Sequence, residues 1–215
     1  MQKTIMSQNT DKTISPDNNV YYFNNDIDVR ICPKNAMSTI KNVAHLLNDE
    51  HHDSETVPTE WRVQNVREKC DRITPPFRRG SKRYAIKRDP IKRFLSAYRF
   101  LKMYHNGFKS IDEILDKLET GEHEYEPHYM SQSYFLGNPE TYDRVFDIKE
   151  TKDLIDMLWT NRSTEAEMIP HDLVCNLQAN MTQDLTHLGG FELSKDQENR
   201  VIELYKIDYE RGWHD

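Results

Sequence analysis

Apolar positions along this chain switch between two spacings, and the switch points divide it into strand and helix candidates. Residues 21–32 (YYFNNDIDVRIC) carry aromatic and β-branched side chains in partial alternation, as a sheet strand does, and Pro33, which lacks a backbone donor, ends the run. Ile40, Val43, Ala44 and Leu47 then recur at helical spacing. A helix is predicted from near Ser38, with Ser38 or Thr39 placed to cap its first amides. A short strand is predicted at 61–66, and Tyr84, Ala85 and Ile86 form the core of another. Asp89 and Pro90 open a helix continued by Phe94, Leu95, Tyr98, Leu101 and Met103. Ser110 and Glu113 have the spacing of a capping box ahead of Ile111, Ile114, Leu115 and Leu118, and Gly121 ends that helix. A strand at 142–148 leads into a helix through Trp159, and Ser194 with Gln197 starts a last helix carrying Val201, Ile202, Tyr205 and Tyr209. Strands alternating with helices predict a three-layer α/β unit around a mostly parallel sheet flanked by helices.

Composition narrows this further. At 215 residues the chain is long enough for one substantial domain, read here as residues 20–215 behind a polar tail at 1–19. Charged residues are 30% and apolar residues 36%, a polar balance that is still too rich in aromatics for wholesale disorder. No run of about 18 apolar residues occurs, and residues 1–19 lack the apolar core of a signal or anchor, so a soluble, cytoplasmic protein is expected. Cys32, Cys70 and Cys175 are odd in number and far apart, which fits free thiols in a reducing compartment, with no metal-ligand spacing joining them to histidines. A net charge of -7 disfavours nucleic acid as a partner. Positive charge is instead concentrated at 78–93, where Asp89 is the single acid. His51 and His52 lie in a polar stretch and read as solvated.

Two turns carry candidate chemistry. In the first, a strand delivers the chain through Pro33-Lys34-Asn35-Ala36-Met37-Ser38-Thr39 to a helix N-terminus. There backbone N–H groups and the positive end of the helix dipole suit a phosphate or sulfate. Lys34 adds a full charge and two hydroxyls add donors. The order differs from a nucleoside-triphosphate loop, in which Lys follows the glycines and directly precedes Ser or Thr; here Lys34 precedes Ser38 by four residues and no glycine is present. The second turn, Arg88-Asp89-Pro90 with Arg93 and Ser96 following, is again strand, turn and helix. A surface for nucleic acid or an acidic partner competes with this reading of the basic run.

Residues 33–39 resemble the 5′-phosphosulfate-binding loop of sulfotransferases that use 3′-phosphoadenosine 5′-phosphosulfate (PAPS), closest to the carbohydrate, family 2 branch. Arg88-Asp89-Pro90, Arg93 and Ser96-Ala97-Tyr98 are similar to the 3′-phosphate motif of the same enzymes, in the same order. Residues 126–132 (EPHYMSQ) resemble the stretch near the acceptor site, with Ser131 where the family has proline, and Tyr205-Lys206-Ile207-Asp208-Tyr209 resembles its terminal YxxDY signature.

The resemblance, which covers roughly residues 28–211, implies a P-loop-like sulfotransferase fold and in-line sulfuryl transfer to an acceptor hydroxyl or amine, on a saccharide by analogy. It implies Lys34 at the bridging oxygen, residues 34–39 on the 5′-phosphate, and Arg88, Arg93 and Ser96 toward the 3′-phosphate. No metal is required. His128 is the candidate general base, since histidine titrates near neutrality, with Glu124 and Glu126 behind it. A nucleotide kinase of related fold and a catalytically silent binding module stay open as alternatives.

Overall fold

The structure, a computed structural model, describes residues 20–23, 26–48, 77, 79–104, 110–121, 127–162, 170–175 and 192–214. The tail at 1–19 and the short strand expected at 61–66 lie outside them.

The first expected strand is in fact two. Val20–Phe23 (β1) and Ile27–Arg30 (β2) run antiparallel with Phe23 opposite Ile27. Between them stands Asn24-Asn25-Asp26, three turn-forming residues that the flanking aromatic and β-branched side chains outweigh in a periodicity reading. Asp26 takes φ 56°, a left-handed conformation that aspartate tolerates better than most residues. From β2 the sheet continues in parallel through Lys82–Lys87 (β3) to Arg144–Asp147 (β4), in the order β1-β2-β3-β4. The mostly parallel sheet is as the alternation predicts.

Side-chain alternation along the strands gives the sheet two apolar faces. On one, Ile27, Val29, Tyr84, Ile86 and Phe146 pack with Ile40, Val43 and Leu47 of Met37–Asn48 (α1). Leu154, Ile155 and Leu158 of Thr151–Thr160 (α5) complete that core. On the other, Ala85 and Val145 meet Phe135 and Leu136 of the short helix Gln132–Leu136 (α4), together with Tyr142 and Trp213. A third cluster joins Phe94, Tyr98 and Leu101 of Pro90–Tyr104 (α2), Ile114 and Leu115 of Ile111–Glu119 (α3), and Val201 of Lys195–Leu204 (α7). His171–Cys175 (α6) docks Val174 into the first core. No helix of the described residues is long and apolar enough to cross a membrane.

The last predicted helix is also interrupted. Ser194 and Gln197 form the full capping box of α7, but the chain leaves helical geometry at Tyr205 and resumes over Lys206–Glu210 (α8). The break has a physical reason: Tyr205 donates its hydroxyl proton to the Tyr129 carbonyl at 2.8 Å, and Asp208 is drawn inward. The buried Asp208 carboxylate accepts from the first two amides of α4, Gln132 N at 2.9 Å and Ser133 N at 2.7 Å. It holds the two amides of this helix N-terminus that Ser131, whose Oγ accepts from Tyr134 N at 3.1 Å, leaves without an acceptor. Asp208→Ala therefore lowers folding stability by about 2–4 kcal/mol, from two charge-assisted bonds lost and two amides stranded. Urea unfolding with an unchanged m-value checks this; a change under about 0.5 kcal/mol would contradict the assignment.

Candidate active site

Because β2 and β3 are parallel neighbours, the loops that follow them leave the sheet at the same edge, outside the carboxyl ends of the strands. The first loop is strained. Lys34 at φ 72° and Ala36 at φ 56° are both left-handed without being glycine, at about 1–3 kcal/mol each. The surroundings over-determine this shape. Asn35 N donates to the Cys32 carbonyl at 3.0 Å, and its side-chain Nδ2 donates to the Ile86 carbonyl at 2.9 Å and to Gln132 Oε1 at 2.6 Å. Arg88 Nη1 donates to the Lys34 carbonyl at 2.9 Å. Left-handed residues flank Asn35, a backbone alternation of the kind that builds anion-binding concavities.

The helix behind the loop starts at Met37, with Ile40 N bonded to the Ala36 carbonyl at 3.0 Å. Ser38 and Thr39 thus lie inside its first turn and do not occupy the capping position expected for them. By helix geometry the amides of this first turn have no intrahelical acceptor. Of the predicted phosphate-loop residues, Asn35 is fully buried, Thr39 is nearly so, and the Ala36 and Met37 side chains pack against the core. With the Asn35 amide and carboxamide already bonded within the protein, Ala36 and Met37 can offer a ligand their amides and little else. Lys34 and Ser38 remain half-buried.

The second turn forms as its sequence predicts. Asp89 caps α2, its Oδ1 accepting from Lys92 N and its carbonyl from Arg93 N, both at 2.9 Å, with Pro90 in first place. Gln132 holds the strand exit: its Oε1 accepts from Arg88 N at 2.9 Å while its Nε2 donates to the Arg88 carbonyl at 2.7 Å and the Trp213 carbonyl at 3.1 Å. One carboxamide thus joins both turns to the C-terminal segment.

Arg93, also expected among the cofactor-binding residues, has a wholly buried side chain. Its guanidinium donates to the carbonyls of Pro33 at 3.4 Å, His128 at 3.2 Å and Met130, and it faces the Tyr205 ring at 5.2 Å. It positions the Lys34 and His128 segments and offers no surface to a ligand. Ser96, one turn further along α2, is also buried.

Charge at this edge is mainly positive, with Asp89 and Asp147 only partly offsetting it at Arg88. Burial, and then the neighbouring Arg88, push the Lys34 ammonium down to about 8. Arg88 is itself lowered, by burial first and then by Arg93 and Arg99. Among the described residues neither Lys34 nor Arg88 pairs with a carboxylate. The two cations therefore repel across a partly desolvated space that an anion would relieve.

Sequence reasoning overlooked Phe100. The Lys34 ammonium lies 4.2 Å from its ring centroid, and the His128 imidazole stacks on the same ring at 4.8 Å and 29°. The two residues expected to carry chemistry are thereby brought to one aromatic platform. A signal was present, since Arg93, Ser96 and Phe100 follow one face of α2 at helical spacing. Gln132 and Asp208 gave no comparable signal of their roles, which emerge only when distant segments meet. Glu124 and Glu126, the alternative bases, lie outside the described residues. Burial drives the Cys32 thiol up to about 12, which removes it as a nucleophile. The expectation that no histidine stands at ligand spacing from a cysteine fails at His171 and Cys175, one helical turn apart on α6.

No curated protein and no solved structure matches the chain. A model of the sulfotransferase family matches residues 23–213, a span that includes both turns, the Phe100 platform and the C-terminal clamp, and the chain belongs to that family.

Proposed function

We propose that this enzyme transfers a sulfuryl group from PAPS to an acceptor hydroxyl or amine, with a saccharide as the acceptor class. The supporting observation is the crowded pair Lys34 and Arg88, two cations at adjacent strand ends that form no carboxylate ion pair among the described residues, each backed by a helix start. The donor has phosphate at both ends of its ribose, and two separate cationic turns match that charge pattern better than one turn would. When bound, it supplies an activated sulfuryl group and a leaving nucleotide phosphate.

The chain's own residues would then divide the work. Lys34 neutralises charge that develops on the bridging oxygen, as a pre-positioned cation in a water-poor site does. The amides of Ala36 and Met37, with Ser38 and Thr39, hold the 5′-phosphate. Arg88, with Ser96 behind it, holds the 3′-phosphate. His128 accepts the acceptor's proton at a ring nitrogen, and its stacking on Phe100 fixes the imidazole plane near Lys34. A P-loop-like three-layer arrangement over residues 20–215, with 1–19 as a tail, accompanies this reading.

Calorimetric titration with 3′-phosphoadenosine 5′-phosphate, with AMP and ATP as controls, tests it. The bisphosphate binds at least about tenfold more tightly than AMP, and Arg88→Ala removes that margin, about 1.4 kcal/mol or more. Equal affinity for AMP, or preference for ATP, overturns the donor assignment. Bisphosphate binding without sulfuryl transfer to any of a panel of saccharides, phenols and amines instead marks a silent module.

A further inference from the structure

Away from these turns, three side chains of different chemistry converge between α5 and α6. His171 and Cys175 are separated by one turn on α6, so both point to the same side of that helix. Asp156 of α5 faces them. Its Oδ1 lies 2.9 Å from His171 Nε2 and 3.0 Å from Cys175 Sγ, and Sγ lies 3.1 Å from Nε2. The donors N, O and S thus form a nearly equilateral triangle.

We propose that Asp156, His171 and Cys175 form a zinc-binding site, with the fourth position open to water, that fastens α6 to α5. In tetrahedral zinc coordination, bonds of about 2.0–2.3 Å hold neighbouring donors about 3.3–3.6 Å apart. The triangle therefore needs to open by only about half an ångström. Its charge also fits: a thiolate and a carboxylate balance a divalent cation, with a neutral imidazole as third ligand. On binding, the Cys175 thiol loses the proton it now donates to Asp156, one proton is released to water per ion, and no electron moves.

Two neighbours support the site. Asp172 Oδ1 is 3.9 Å from His171 Nδ1, near enough to swing onto it and fix the tautomer that leaves Nε2 free for metal. Trp159 meets the His171 ring edge-on at 4.7 Å. Hydrolytic chemistry at the same trio is disfavoured, because the thiol donates to the aspartate directly. Burial first and then Asp156 push that thiol up to about 11, which suppresses a free thiolate nucleophile. A bound cation removes this obstacle by replacing the proton.

The test uses the full chain, freed of metal by chelation and titrated with cobalt(II) as a spectroscopic stand-in and with zinc as competitor. One equivalent of cobalt produces a sulfur-to-cobalt charge-transfer band, zinc displaces it, and one proton is released per zinc bound. Trp159 emission changes at the same stoichiometry. The band disappears in Cys175→Ser and persists in Cys70→Ser, and Asp172→Asn, which retains all three ligands, weakens binding about tenfold. Zinc raises the melting temperature of wild type and not of Cys175→Ser. Absence of the band and of the melting shift in wild type refutes the site, and so does a band that survives Cys175→Ser.

Discussion

Replacing Lys34 with alanine lowers kcat by about 10²–10³-fold, the usual loss when one pre-positioned charge-stabilising group is removed from a transition state. The bisphosphate product still binds within about tenfold, since the loop amides and Arg88 remain. Lys34 is held for this task by strain and packing: its φ is 72°, its carbonyl is tied to Arg88, and its ammonium rests over Phe100. The lowered pKa of about 8 adds a second signature. In the free enzyme Lys34 loses its charge as pH rises through that value, so kcat/KM falls above about pH 8 with a slope approaching tenfold per unit. Bound anions favour the charged form, so the same limb in kcat moves to higher pH. Lys34→Arg keeps a charge that does not titrate in this range, and it abolishes the alkaline limb of kcat/KM while restoring part of the rate. Steady-state profiles from pH 6 to 10 decide the matter. An unchanged limb in Lys34→Arg would assign it to another group.

The degree to which this site can be read from sequence depends on how local its causes are. Asp89 and Pro90 act within one turn of their own helix, and their spacing alone predicts what the structure contains. The same holds for Ser194 with Gln197, and for Ile40, Val43 and Leu47 on the buried face of α1. Lys34 is legible as a cation at a strand end, but its left-handed backbone is not, because no glycine marks it and the bonds that impose it come from residues about 50 to 100 positions away. The hairpin at Asp26 was hidden by strand-forming neighbours. Arg93 shows the limit most sharply: the motif gives its identity and register, yet whether an arginine on a helix faces a ligand or the interior is decided by which carbonyls the remaining chain brings to it. Gln132 and Asp208 lie further beyond reach. A carboxamide that joins two turns to the C-terminal segment, and a carboxylate on α8 that caps α4, are products of tertiary closure.

Arg93 accordingly gives the largest expected effect on stability. Arg93→Ala removes the donor for the Pro33, His128 and Met130 carbonyls and leaves a cavity beneath the Tyr205 ring. Stranded buried carbonyls cost about 1–3 kcal/mol each, partly relieved by water or relaxation, so the loss is about 3–5 kcal/mol. A residue that acted by touching the 3′-phosphate would instead reduce bisphosphate affinity and leave the stability of the free protein unchanged. The two roles are thus separable in the absence of any ligand. Arg93→Lys restores one charge and not the forked geometry that reaches three carbonyls, so it recovers less than half of the stability. Arg88→Ala gives the opposite pattern. Half-buried and bonded by its side chain to one carbonyl, Arg88 costs little in folding and much in binding. Urea unfolding of the two free variants, followed by bisphosphate titration of whichever remains folded, reads out this crossover. If Arg93→Ala unfolds at the wild-type midpoint and binds weakly, the buried arginine contacts the ligand after all, and the clamp between the Lys34 and His128 segments must lie elsewhere.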